Sequence, residues 1–171
     1  MAEEITVLLV GNHDSLMKCV AARLERDPRL SLRGTVGLPH HSIERPEWQV
    51  SDLLIIDIDS AEGNCLQLAT RIRSCWPKTH LILLASAFDD RCIAQALQIG
   101  VRALVSKDRL WQLIPVAIDE VLGGGVYFPE DVRSRIVIDS AGASLGIKLP
   151  KLPHARTSHD SGESYAMGYP G

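Results

Sequence analysis

Carboxylates, a lysine and a few small polar residues recur at one kind of place in this 171-residue chain, directly after a run of apolar residues. Asp57 closes Leu53-Leu54-Ile55-Ile56, four branched apolar residues in a row, and Asp59 stands two positions on. Gly11, Asn12 and His13 follow the run that ends at Val10; Ala85 and Ser86 follow residues 81–84; Lys107 follows residues 101–105 and Ser106. An apolar run with neither a 3.6-residue period nor alternation reads as a strand buried on both faces, as in the middle of a parallel sheet. In open α/β sheets, ligands and chemistry gather at the carboxyl ends of such strands. Asp57 is therefore the first candidate for chemistry, with Asn12, Asp59, Ser86 and Lys107 at or near neighbouring strand ends. The plainer alternative is that Asp57 only caps a helix beyond its loop. Against it, eight residues separate Asp57 from the next apolar period at Leu66, a long reach for a cap.

Other groupings are poorer. Cys19, Cys65, Cys75 and Cys92 form no Cys-x-x-Cys pair and read as free thiols. His40 and His41 are adjacent and have no third ligand at zinc spacing. Gly123-Gly124-Gly125 lacks the Lys-Ser/Thr of a phosphate loop and reads as a helix stop. The stretch from Gly11 to Ser15 could hold a flavin phosphate, but it offers one glycine and one serine. Trp48, Trp76 and Trp111 read as packing residues. A net charge of −3 provides no general field for nucleic acid or anionic lipid. No apolar stretch approaches the ~20 residues of a membrane span. The acidic opening MAEEITVLLV has no basic n-region, and a cytoplasmic chain is expected.

The elements that must position these residues follow from the same pattern. Asp14 or Ser15 is expected to cap a helix carrying Leu16, Val20 and Leu24, stopped by Asp27-Pro28. Leu30, Leu32, Gly34 and Val36 alternate along a strand near an edge. Residues 38–50 contain Pro39 and Pro46, which leave room for a short, poorly formed helix at best. Leu66, Ala69, Ile72 and Arg73 mark a helix ending near Trp76-Pro77, and Asp89 or Asp90 caps another that Gly100 closes. Asp108 is expected to cap a helix that runs through Leu110, Ile114 and Val121 to the glycines, with one more short helix within 130–136. Five strands alternating with helices predict an α/β fold, a doubly wound five-stranded parallel sheet. Residues 140–171 are rich in Gly, Ser and Pro and keep no helical or strand period. The expected division is a folded domain over 1–138 and a flexible tail over 139–171.

With these strand ends in view, the chain resembles the receiver domains of two-component response regulators, most of all the LuxR/NarL-type branch. The resemblance covers residues 5–136 and rests on VLLV before a polar turn, DLLIID, the FDD helix entry, LVSKD and the GGGVYFPEDV ending. It implies a CheY-like sheet with flavodoxin-like strand order. In that family an aspartate carboxylate attacks a phosphoryl group, and a Mg²⁺ ion and a lysine offset the repulsion between the two anions. Mg²⁺ takes octahedral oxygen ligands, which the family supplies from an acidic pair after the first strand, the acceptor, and a carbonyl two residues further on. A hydroxyl after the fourth strand binds the new phosphate, and an aromatic residue on the fifth reports it.

By position the resemblance makes Asp57 the phospho-acceptor, Lys107 the lysine and Asp59 the carbonyl position. The other positions depart from the family. Gly11 and Asn12 stand where the acidic pair is expected, Ala85 at the hydroxyl position with Ser86 beside it, Leu104 at the aromatic position and Ala61 where proline is common. These losses imply no metal or weak Mg²⁺ binding and no phosphate readout. The chain then reads as an atypical receiver, not an enzyme, that acts through contacts with a histidine kinase or another signalling protein or as a homodimer. The expected contact face spans residues 89–122 and includes Arg109 and Trp111. The alternative is a working acceptor at Asp57, with Asn12 and Asp59 as substitute metal ligands, since residues i and i+2 of an extended strand point the same way. Residues 140–171 carry Lys148, Lys151 and Arg156 against Asp160 and Glu163, too little for a helix-turn-helix with a basic recognition face. No DNA binding by this chain alone is expected.

Overall fold

The apolar runs become strands because nothing in them favours one face. In a computed structural model of the protein, which describes residues 4–37, 51–60, 65–139 and 142–145, they form β1 (Ile5–Val10), β2 (Leu30–Val36), β3 (Leu53–Asp57), β4 (His80–Ala85) and β5 (Ala103–Ser106). These five strands lie in the order β2-β1-β3-β4-β5, each parallel to its neighbours. The helices between them are α1 (Asp14–Leu24), α2 (Cys65–Cys75), α3 (Asp90–Ile99) and α4 (Leu110–Leu122).

The pleat divides each central strand between two cores. Leu54, Ile56, Leu81, Leu83 and Leu104 pack with Ala69 and Ile72 of α2 and Ile93 and Ala96 of α3. Leu53, Ile55, Ile82, Leu84 and Val105 pack on the other face with Met17 and Val20 of α1 and Ile114 and Ala117 of α4. Every residue of β3, Asp57 included, is buried. Burying each large aliphatic side chain contributes roughly 1.5–3 kcal/mol, so the sheet is held from both sides and its carboxyl edge is fixed.

Several local expectations need correction. Strict alternation along β2 is broken: Val7 pairs with Leu32 but Leu8 with Gly34, so Arg33 is an extra residue, and Gly34 adopts φ 145°. A bulge of this kind shifts the following side chains to the opposite face. Leu30 and Leu32 accordingly join the α1/α4 side while Val36 joins the α2/α3 side. Neither Asp14 nor Ser15 caps α1; His13 holds that position without a side-chain cap, and Asp14 instead accepts from Lys18 at 2.6 Å within the helix. Asp108 does not cap α4, because residues Lys107–Arg109 form a 3₁₀ turn ahead of it. Asp89 does cap α3, accepting from Cys92 N–H at 2.7 Å, and Gly100 closes that helix in the left-handed region at φ 77°.

Past α4, Gly124 turns at φ 85° and Tyr127 bridges to Ala103, covering the outer edge of β5. A short helix α5 (Glu130–Arg133) follows, then an antiparallel hairpin of β6 (Ile136–Asp139) and β7 (Gly142–Leu145). Strand structure thus crosses the 138/139 boundary expected from sequence and continues beyond residue 140. Gly-Ala-Ser-Leu has no strand period of its own; pairing with Ile136–Asp139 supplies what local sequence does not. The rest of the expected tail, 146–171, and the short helix expected within 38–50 lie outside the described residues. No helix among the described residues is long and apolar enough to cross a membrane.

Candidate functional site

The strand order brings the ends of β1, β3, β4 and β5 together at one edge of the sheet. Asp57, the last residue of β3, is 0% exposed. A carboxylate buried to that degree must be paired and hydrogen-bonded. Lys107 Nζ, delivered by the turn after β5, lies 2.5 Å from Asp57 Oδ1 and is itself only 15% exposed. The Asp59 N–H donates to the same oxygen at 3.1 Å. His13 Nδ1–H donates to Asp57 Oδ2 at 2.9 Å from the junction of β1 and α1.

Asp59 leans over the site, though not by continuation of the pleat. The strand ends at Asp57, and Ile58–Ser60 form a 3₁₀ turn that carries Asp59 back towards Lys107. Asp59 Oδ2 lies 3.0 Å from Lys107 Nζ and accepts from the Ser86 N–H at 2.8 Å and the Ser86 hydroxyl at 2.7 Å. Burial pushes the Asp59 carboxyl up, but the Ser86 hydroxyl and amide and the Lys107 ammonium outweigh it and leave it below the usual carboxylate range. Burial likewise pushes Lys107 down, and its bonds with Asp57 and Asp59 more than reverse that, holding the ammonium charged above its ordinary range.

The positions read from sequence fall out as follows. Asp57, Lys107, Asp59 and Ser86 form one connected cluster. Ala85 is buried at the end of β4, and Leu104 is fully buried in the α2/α3 core, so neither offers a polar group to the edge. Asn12 is exposed at the end of β1, its side-chain oxygen 3.3 Å from where a Cβ on Gly37 would sit. Gly11 is buried, and a Cβ there would meet Asp57 Cβ at 3.0 Å and Met17 Sδ at 3.1 Å. Arg109 is exposed at the end of the 3₁₀ turn that carries Lys107, and Trp111, in the first turn of α4, is 49% exposed. His13 is the participant that sequence misreads, as a residue that simply fills the turn after the first strand; it reaches Asp57 instead. Its position directly after Gly11-Asn12, on a strand end adjacent to that of Asp57, was the available signal.

The arrangement is an ion cluster of two carboxylates and one ammonium, tied by an imidazole and a serine. Among the described residues, no three His, Cys, Asp or Glu side chains converge as a group able to hold a metal ion. The oxygens of Asp57 and Asp59 that would serve Mg²⁺ are engaged by Lys107, His13 and Ser86, and a side chain at position 11 would press on Asp57 Cβ and Met17 Sδ. The donor set does not fit octahedral Mg²⁺.

No model of a known protein family matches the chain. It is 26% identical over 129 residues to the transcriptional regulatory protein MctR of Rhizobium johnstonii, covering 75% of this chain and 60% of MctR. It is 24% identical over 120 residues to the DNA-binding transcriptional activator DevR/DosR of Mycobacterium tuberculosis, covering 70% of this chain and 55% of that protein. The chain therefore spans less than two thirds of the length of these curated relatives. Among solved structures, the isolated REC domain of RcsB from Salmonella enterica serovar Typhimurium in the apo form superposes with a TM-score of 0.67 at 18% identity, covering 77% of this chain and 97% of that domain. The fold is that of a response-regulator receiver domain, as the motifs imply.

Proposed function

We propose that this receiver-fold chain is a signalling module of a two-component system that acts by binding partner proteins, with Mg²⁺-dependent phosphorylation of Asp57 weak or lost. The observation that carries the reading is the 2.5 Å contact between Lys107 Nζ and the fully buried Asp57 carboxylate. In the family chemistry, lysine and metal together neutralise the acceptor and the incoming phosphoryl group. Here Gly11 and Asn12 stand in place of the acidic pair, and Leu104 is spent on the core rather than on a readout. In this reading the module has no catalytic role of its own and works in the cytoplasm, through a histidine kinase, another regulator or a second copy of itself.

The test is incubation of the full chain with acetyl phosphate and Mg²⁺, followed by intact-mass measurement. No adduct is expected. A phosphate adduct that disappears in Asp57→Ala would overturn the reading in favour of a working acceptor with Asn12 and Asp59 as substitute ligands.

Partner contact is proposed through α3, β5 and α4, where Trp111 and Val116 are about half exposed and Arg109, two residues before Trp111, is exposed. Exposed aromatic and arginine side chains of this kind carry much of the energy in protein interfaces. Trp111→Ala or Arg109→Glu is expected to weaken self-association in sedimentation experiments by about 1–2 kcal/mol. Unchanged association in both variants would remove this face from consideration.

A further inference from the structure

We propose that His13 is the residue that closes this site to divalent metal, its imidazole holding on Asp57 Oδ2 the place a cation would need. The inference rests on the reading of a silent acceptor site and deepens it by naming the side chain that enforces it.

The geometry divides the Asp57 carboxylate between two sides. Oδ1 faces inward to Lys107 at 2.5 Å and the Asp59 N–H at 3.1 Å. Oδ2 meets His13 Nδ1 at 2.9 Å, and while Asp57 is 0% exposed the His13 side chain is 56% exposed. The ring is thus a solvent-side partner of a buried oxygen. A Mg²⁺ ion binds a carboxylate oxygen at about 2.0–2.1 Å and demands nearly ideal octahedral directions. An N–H donor 2.9 Å from the same oxygen occupies part of that coordination sphere, so imidazole and metal compete for Oδ2. His13 sits at the N-cap of α1, yet its side chain makes no cap hydrogen bond; it reaches across to β3 instead.

Two neighbours make position 13 the controlling one. Gly11 cannot take a side chain without displacing Asp57 Cβ, 3.0 Å from the added Cβ, or Met17 Sδ at 3.1 Å. Asp59, the other carboxylate of the cluster, is drawn to Ser86 and Lys107. Asn12 and His13 are both exposed and can be exchanged without repacking the core.

The experiment compares Mg²⁺ affinity, by calorimetry on the folded full-length chain, in wild type, Asn12→Asp, Asn12→Asp/His13→Ala and Asn12→Asp/His13→Asn. Asn12→Asp supplies a carboxylate where the family has one; His13→Asn keeps an N–H donor near the Nδ1 position. Freeing one charge-assisted hydrogen bond corresponds to roughly tenfold in affinity. Asn12→Asp/His13→Ala is therefore expected to bind Mg²⁺ on the order of tenfold more tightly than Asn12→Asp, with His13→Asn reversing most of that gain. A mere packing role for His13 would not give this reversal. Equal affinities for Asn12→Asp and Asn12→Asp/His13→Ala would overturn the inference and leave the silent-acceptor reading standing. That reading fails on a different result, the Asp57-dependent phosphate adduct of the wild-type protein.

Discussion

Lys107→Ala is expected to destabilise the protein by about 3–5 kcal/mol, with a fall in Tm of roughly 6–20 °C. The magnitude follows from what the substitution leaves behind. Asp57 is completely buried, and Lys107 approaches its carboxylate at 2.5 Å while also meeting Asp59 at 3.0 Å. Without the ammonium, the buried negative charge loses the counter-charge that stands 2.5 Å from its Oδ1. Asp57→Asn introduced into Lys107→Ala removes that charge and is expected to restore most of the loss, because a neutral amide is far cheaper to bury than a carboxylate. Chemical denaturation of the single and double variants measures both effects. A loss below about 1 kcal/mol in Lys107→Ala would mean that the pair behaves as a surface ion pair rather than a buried one.

The same cluster sets a pH dependence. Asp59 has its carboxyl held below its ordinary 3.8, so its contribution is present above that value and lost as pH falls through the lower folded one. Lys107 is held above 10.5, so its contribution is present below 10.5 and lost as pH rises through the higher folded value. Between those limits both contributions stay level; Lys107→Ala removes the alkaline one and shrinks the acidic one, since the Ser86 hydroxyl and amide still hold Asp59.

Arg73→Ala is expected to cost about 2–4 kcal/mol by removing charge-assisted hydrogen bonds from a site distant from the ion cluster. From α2, the Arg73 guanidinium donates to Ile99 O at 3.0 Å, Pro77 O at 2.8 Å, Thr79 O at 2.9 Å and Gly100 O at 3.0 Å. It thereby ties the loop before β4 to the loop before β5, at the sheet edge opposite Asp57. Lysine is a point charge without the planar fork, so Arg73→Lys is expected to recover less than half of the loss. Amide hydrogen exchange should accelerate in residues 77–80 and 99–102 while β1 and β3 keep their protection. A loss under about 0.5 kcal/mol would show that water replaces the guanidinium at these carbonyls without penalty.

The sequence by itself determined the parallel sheet, because branched apolar runs buried on both faces have no other stable use and the helical periods between them require crossovers. It also determined which residues stand at the carboxyl edge: Asp57, Lys107 and Ser86 are each fixed there by the strand that precedes them. Tertiary structure alone decided how they combine. Whether Asp59 or water meets Lys107 depended on a 3₁₀ turn at Ile58–Ser60 that no local pattern announces. The contact of His13 with Asp57 joins residues 44 positions apart and exists because β1 and β3 are neighbours in the sheet. The bulge at Arg33 and Gly34, the four carbonyls gathered by Arg73 and the pairing of β7 with β6 have the same origin. Periodicity records which face a residue turns to the core. Hydrogen-bond partners across strand ends are chosen by register and loop geometry, which are set only when the sheet closes.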